Sequence, residues 1–284
     1  MSPVVEEIRL SLPHIELAAH VFGPEDGLPV LALHGWLDNA NSFARLAPQL
    51  HGLRIVALDL AGHGHSAHRP LGASYSLWDY AFDVLSVAEQ LGWERFALLG
   101  HSLGAIISVI VAGSCPERVT RMALIDGAIP QTGTQQNTAE RMGQALQAQL
   151  ALSRKRKSVH KTLEGGIEAR MKGMIAVSRC AAELLAQRGL MPVPGGYSWR
   201  SDSRLTLPSP LRLTDEQAMS FAQRVSCPTA LVVAEEGMLA THTDILNKLP
   251  FTLERLPGGH HLHLNDEAGA LLVADCFNRF FASP

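Results

Sequence analysis

The sequence predicts an α/β protein in which a mostly parallel sheet carries helices on both faces. Three observations predict this class: short apolar runs recur along the chain, segments with helical spacing separate them, and hydrophobic residues make up 46% of the composition against 18% charged residues. Wholly apolar strands joined through helices are typical of parallel sheets, because helices cover both faces. At 284 residues the chain suits one large domain, or one domain with a sizeable insertion.

The alternation of strands and helices is clearest in the first 130 residues. The apolar side chains at 77, 81, 84, 85, 88 and 91 follow helical spacing, and Ser76 with Asp79 predicts a capping box at the start of that helix. The expected strands cover residues 15–22, 29–33, 54–58, 96–99 and 121–125, and the expected helices cover 77–91 and 103–112.

The alternation stops after Asp126 and resumes at residue 229. Helix-compatible stretches at 139–152 and 166–188 lie between these points, with turns at 191–196 and 208–210. Further strands are expected at 229–234 and 252–256, followed by a final amphipathic helix from about Asn265. The layout predicts an α/β core of residues 1–128 and 223–284, with a helical cap of residues 129–222 inserted after the sixth strand.

Charge and cysteine spacing argue against several classes of protein. The 24 basic and 27 acidic residues give a formal charge of -3, which does not suit electrostatic binding of nucleic acid. The isolated cysteines form no C-x-x-C pair, so no zinc finger or iron–sulfur motif is expected. No apolar run approaches the roughly 18 residues of a membrane span, and charged residues interrupt the N-terminal stretch, so a cytoplasmic protein is expected. The oligomeric state stays open between monomer and homodimer.

The pentapeptide at 100–104, Gly-His-Ser-Leu-Gly, matches the G-x-S-x-G pattern of a nucleophile elbow. It follows an apolar strand and opens an apolar helix, which is the context in which such a serine is held in a sharp turn. The flanking glycines fit that turn because larger side chains would clash across it. We therefore expect Ser102 to be a nucleophile.

A second loop, His-Gly-Trp at 34–36, follows the apolar strand 29–33. In a sheet of this kind the corresponding loop donates one backbone N–H to a developing oxyanion, and the residue after the nucleophile donates another. The expected donors are the N–H groups of Trp36 and Leu103.

A serine hydroxyl needs a base, and the histidines at 260, 261 and 263 lie in the expected place, between the last strand and the final helix. His260 directly follows a glycine pair that lets this loop approach the elbow, so it is the favoured base. For the acid, the sequence favours Asp126, at the end of the sixth strand, and keeps Glu236 and Glu235, after the seventh, as alternatives.

These motifs together resemble the α/β-hydrolase superfamily over nearly the whole chain, through H-G-W at 34–36, D-x-x-G-H-G-x-S at 59–66 and G-H-S-L-G at 100–104. Within it the chain is most similar to the serine hydrolase-like proteins, through segments 124–126, 184–189, 234–239 and 259–263. The resemblance implies an eight-stranded sheet, a helical cap and a Ser-His-acid hydrolase, with Ser102 as nucleophile and His260 as base.

The sequence departs from the superfamily pattern in one place. Related sequences usually carry an aspartate after the seventh strand, where this chain has Ala240, and this shifts weight to Asp126. Some haloalkane-cleaving relatives also take their acid from the sixth strand. However, those relatives and the epoxide hydrolases use an aspartate nucleophile, so Ser102 argues against both chemistries.

The expected function is hydrolysis of a small-molecule ester or similar acyl substrate through an acyl-enzyme, with no cofactor and no metal. Two alternatives stay open. The same residues could cleave a carbon–carbon bond in a diketone-type substrate, since the elbow serves both reactions. Alternatively, the chain could be a non-catalytic protein that binds a ligand in the pocket, an interpretation that rests on the missing aspartate at Ala240.

Overall fold

The computed structural model describes residues 6–283 except 153 and 155. The strands are β1 (Glu6–Ser11), β2 (Glu16–Phe22), β3 (Leu28–Leu33), β4 (Leu53–Leu58), β5 (Phe96–His101), β6 (Val119–Ile125), β7 (Leu190–Val193), β8 (Gly196–Trp199), β9 (Thr229–Glu236) and β10 (Thr252–Gly259). The helices are α1 (Leu77–Gln90), α2 (Leu103–Ser114), α3 (Thr138–Leu152), α4 (Leu163–Met171), α5 (Arg179–Gly189), α6 (Asp215–Arg224), α7 (Thr243–Leu246), α8 (Leu262–Asn265) and α9 (Glu267–Ala282).

Eight of the strands in the described part form one sheet in the order β1-β2-β4-β3-β5-β6-β9-β10. The pairs β1–β2 and β2–β4 are antiparallel, and every later pair is parallel. The sheet separates two apolar layers, and consecutive residues of β3 enter them alternately. Leu31 and Leu33 pack in the layer beside α1 and α2, whereas Val30 and Ala32 pack in the layer beside α9. The predicted fold class is confirmed.

The elements missing from the sequence prediction lack an uninterrupted apolar run. β1 lies at the edge of the sheet and buries only Leu10, so its sequence looks polar. The stretch 166–188 is two helices instead of one, because α5 starts afresh where the Ser178 hydroxyl accepts the N–H of Ala181. β7 and β8 form a hairpin whose turn contains Gly195 and Gly196, both with positive φ.

The segment between β6 and β9 contains α3 to α6 and the β7–β8 hairpin. α4 and α5 share a small apolar cluster with Leu264 of the C-terminal region, whereas α6 lies against α2, where Phe221 packs beside Gly113. The division into core 1–128 and 223–284 and cap 129–222 stays a prediction. Within the described ranges, the helices are too short or too polar to cross a bilayer.

Candidate active site

Ser102 lies at the tight turn between β5 and α2, with φ 52° and ψ -114°. A side chain at Gly100 would lie 2.6 Å from the backbone of Ala105, and one at Gly104 would overlap the carbonyl group of Leu33. Both glycines are therefore required by the close approach of backbone on either side of the serine. The turn is tied to the sheet by the Ser102 N–H, which donates to the carbonyl of Ile125 at 3.0 Å.

His260 and Asp126 meet at the carboxyl edge of the sheet. The Nδ1–H of His260 donates to Oδ2 of Asp126 at 2.6 Å, and both side chains are buried. The same carboxylate accepts the backbone N–H groups of Met238 at 2.7 Å and Leu239 at 3.3 Å. Gly237 allows this approach, because a Cβ there would collide with the carboxylate. With its proton on Nδ1, His260 carries its lone pair on Nε2, the protonation state that a general base needs.

The alternative acids lie near the histidines along the chain of contacts, since Glu236 pairs with Gly259 across β9 and β10. Glu235 and Glu236 are both exposed at the end of β9. Within the described ranges, neither carboxylate is hydrogen-bonded to His260. The structure thus brings together three of the residues proposed from sequence: His260 and Asp126 are in contact, and Ser102 and His260 line the same cavity of about 440 Å³.

The expected oxyanion donors flank Ser102 on two sides. Leu103 is the first residue of α2, so its N–H has no partner within the helix. In the part of the chain that the structure describes, the Trp36 N–H meets no protein acceptor. The next N–H, of Leu37, donates to Nε2 of His63 at 3.2 Å. Burial lowers the pKa of His63 to about 3, so its ring stays neutral and can accept this bond. The loop is therefore anchored beside the Trp36 N–H.

Asp38, in the loop after β3, is a buried carboxylate that the sequence analysis missed. It accepts Nε2–H of His261 at 3.0 Å and Nη2–H of Arg170, from α4, at 2.7 Å. Burial acts to raise the pKa of Asp38, but His261, Arg170 and His101 hold it well below its ordinary value. Asp38 therefore joins three segments in one ionic contact: the loop after β3, α4, and residues 260–263, which we call the histidine loop.

His101 packs against the rings of His260, His261 and His263. Its Nε2–H donates to the backbone carbonyl of His260 at 2.9 Å, which leaves a lone pair on the buried Nδ1, 3.8 Å from Asp38. Burial, reinforced by His263, His260 and His261, lowers its pKa well below the ordinary value, so the ring is neutral.

The possible ligand atoms of Asp38, His101 and His261 all lie within 4.8 Å of one another, a spacing that could hold a metal ion. In the structure Arg170 already supplies positive charge to Asp38. The expectation of no metal stays a prediction.

His263 is buried, and its Nε2 lies 3.1 Å from the hydroxyl of Ser42. Five apolar side chains contribute to the lining of the Ser102 cavity: Trp36, Leu37, Met174, Ile175 and Trp199.

No sequence pattern identified Asp38 or Arg170, since the two residues are 132 positions apart and neither belongs to a motif.

This sheet, with a serine in a strained turn and a buried acid–histidine pair at its carboxyl edge, defines an α/β hydrolase fold protein. The chain belongs to the α/β hydrolase fold family, whose model matches residues 29–266. It is 33% identical to a serine hydrolase-like protein of Danio rerio, over 97% of this chain and 89% of that protein. It is 32% identical to serine hydrolase-like protein 2 of Homo sapiens, over 96% of this chain and 94% of that protein.

A solved structure similar to this chain is the hypothetical protein PA1622 from Pseudomonas aeruginosa PAO1. The two are 67% identical, with a TM-score of 0.96, and the match covers 98% of this chain and 100% of that one. The resemblance to the serine hydrolase-like proteins inferred from the motifs is confirmed.

Proposed function

We propose that the chain is a serine hydrolase that cleaves an ester or similar acyl substrate through an acyl-enzyme. The observation that carries the proposal is the 2.6 Å contact between His260 Nδ1 and Asp126, next to the cavity that Ser102 lines. His260 Nε2 removes the proton of Ser102 as Oγ attacks the carbonyl carbon, and the N–H groups of Trp36 and Leu103 stabilise the oxyanion. His260 then protonates the leaving group, and water repeats the sequence on the acyl-enzyme.

Asp126 has two tasks in this mechanism. It holds the proton on Nδ1, so that Nε2 faces the reaction as an acceptor, and it stabilises the imidazolium that forms. The non-catalytic alternative was based on the lack of an aspartate at Ala240. Asp126 provides a carboxylate for His260 instead, which favours catalysis. A cytoplasmic location and a small-molecule substrate are part of the same proposal.

A fluorophosphonate probe tests the nucleophile. We expect it to label the native protein at Ser102 and to leave Ser102→Ala unlabelled, with loss of turnover of short p-nitrophenyl esters. Ser86→Ala, which changes a partly exposed serine of α1, is the matched control and should be labelled like the native protein. A native protein that is neither labelled nor active on these esters would overturn the proposal. Faster turnover of a vinylogous diketone than of the esters would favour the carbon–carbon alternative.

A further inference from the structure

A second cavity of about 510 Å³ adjoins the Ser102 cavity, and the two share Trp36 in their linings. Trp36 lines both spaces, and Leu103, directly after the proposed nucleophile, lines the second. The indole Nε1–H donates to the carbonyl of Leu205 at 2.9 Å, which fixes the orientation of the ring. The second cavity therefore lies directly beside the proposed nucleophile.

The walls of this second cavity include apolar side chains that the protein leaves uncovered. Met142, Ala145 and Leu146 share one face of α3, at the i, i+3 and i+4 spacing, and only Ala145 is buried. Trp78, at the start of α1, also lines the cavity and is 54% exposed, and Leu146 is 52% exposed. An amphipathic helix normally buries its apolar face, so these side chains indicate a surface that binds an apolar group.

Two arginines beside this surface have no counter-ion among the residues that the structure describes. Arg212 lines the cavity and Arg141 precedes Met142 on α3, and the two approach each other around Gly133. In the described part of the chain neither forms an ion pair, and the buried Nε of Arg141 has no hydrogen-bond partner. Burial, with the charge of Arg141, lowers the pKa of Arg212. An arginine pair without a carboxylate suits an anionic ligand group, because a guanidinium binds carboxylate or phosphate through charge-assisted hydrogen bonds.

We propose that the second cavity binds a hydrocarbon arm of the substrate and that Arg141 and Arg212 bind an anionic group carried by that arm. The inference rests on the proposed function and narrows its substrate class to anionic, amphiphilic esters. Because the cavity is separate from the Ser102 cavity, binding there can be measured in Ser102→Ala, independently of any hydrolysis.

The test titrates Ser102→Ala with decanoate and with decanol, and follows binding by calorimetry and by tryptophan fluorescence, to which Trp36 and Trp78 contribute. We expect decanoate to bind at least about tenfold more tightly than decanol, as a charge-assisted contact predicts. Adding Leu146→Glu should weaken decanoate binding at least about tenfold. Leu271→Glu is the matched control, an exposed leucine on α9 outside both cavities.

Arg212→Gln should abolish the preference for decanoate over decanol, whereas Arg95→Gln removes one exposed charge elsewhere and should not. Equal affinity for the two probes would overturn the assignment of an anionic ligand group. Unchanged decanoate binding in Leu146→Glu would overturn the assignment of the binding site to the second cavity. If Leu146→Glu alters only self-association in sedimentation, the surface binds a second copy of the chain and the proposal is wrong. A native protein that binds decanoate as expected but hydrolyses no ester would refute the proposed function alone.

Discussion

Replacing Asp126 by Asn removes one charge from the proposed triad and leaves the size of the side chain unchanged. In the native protein Oδ2 accepts from His260 and Met238, and Oδ1 accepts from Leu239. If the new amide group faces His260, it donates to Nδ1 and moves the ring proton to Nε2, which can then no longer accept from Ser102. If it faces Leu239 instead, two N–H groups oppose each other and the imidazolium loses its counter-charge.

Both orientations predict a large loss of catalysis with little loss of binding. The same substitution in a serine protease triad lowers kcat about 10⁴-fold, so we expect a decrease of that order in kcat with KM nearly unchanged. The assay is the initial rate of p-nitrophenyl acetate hydrolysis, with thermal unfolding followed by circular dichroism to show that the variant is folded. Glu236→Gln is the control and should keep its rate within about twofold, because Glu236 is exposed. A folded Asp126→Asn variant that loses less than about tenfold would refute the assignment of the acid.

Three further predictions concern the structure around the site. Gly104→Ala should prevent folding, because its Cβ would overlap the Leu33 carbonyl. Gly143→Ala, with open space around it on α3, should instead raise the free energy of unfolding by about 0.5–1 kcal/mol, and urea titration measures both effects. Arg170→Gln should lower the free energy of unfolding by about 3 kcal/mol, since it leaves a buried carboxylate without its guanidinium, and an unchanged urea midpoint would contradict this. The pKa values of His63 and His263 are lowered to about 3 from 6.5, so the unfolded chain binds more protons below pH 6.5. The contribution of these two histidines to the free energy of unfolding is therefore fully present above pH 6.5. It falls by about 1.4 kcal/mol per pH unit for each histidine as the pH decreases towards 3, and equal urea midpoints at pH 7 and pH 5 would refute this prediction.

The features that the sequence predicts correctly are local ones. β3, β4 and β5 are short apolar runs, and the capping box of Ser76 and Asp79 at α1 is present in the structure. Periodicity and capping depend on neighbouring residues, so they can be read from one sequence. β1 could not be predicted in this way, because an edge strand with one covered side chain has no apolar pattern.

The long-range part of the site has no local pattern. Asp126 and the two glutamates at the end of β9 are all acidic residues at strand ends, and only the folded chain shows which of them reaches His260. Asp38 and Arg170 are still harder to find, because the contact joins two segments that approach each other only when α4 packs over the histidine loop. A buried ion pair is recognised by its burial, which sequence does not report.

The site contains two adjacent acid–histidine pairs, and they differ in which ring nitrogen forms the hydrogen bond to the carboxylate. His261 donates from Nε2 to Asp38 and its Nδ1 is buried without a partner, so neither nitrogen is an available base. His260 donates from Nδ1 to Asp126 and retains Nε2 as the acceptor. We infer that the Asp38 pair positions the loop and that the Asp126 pair transfers the proton.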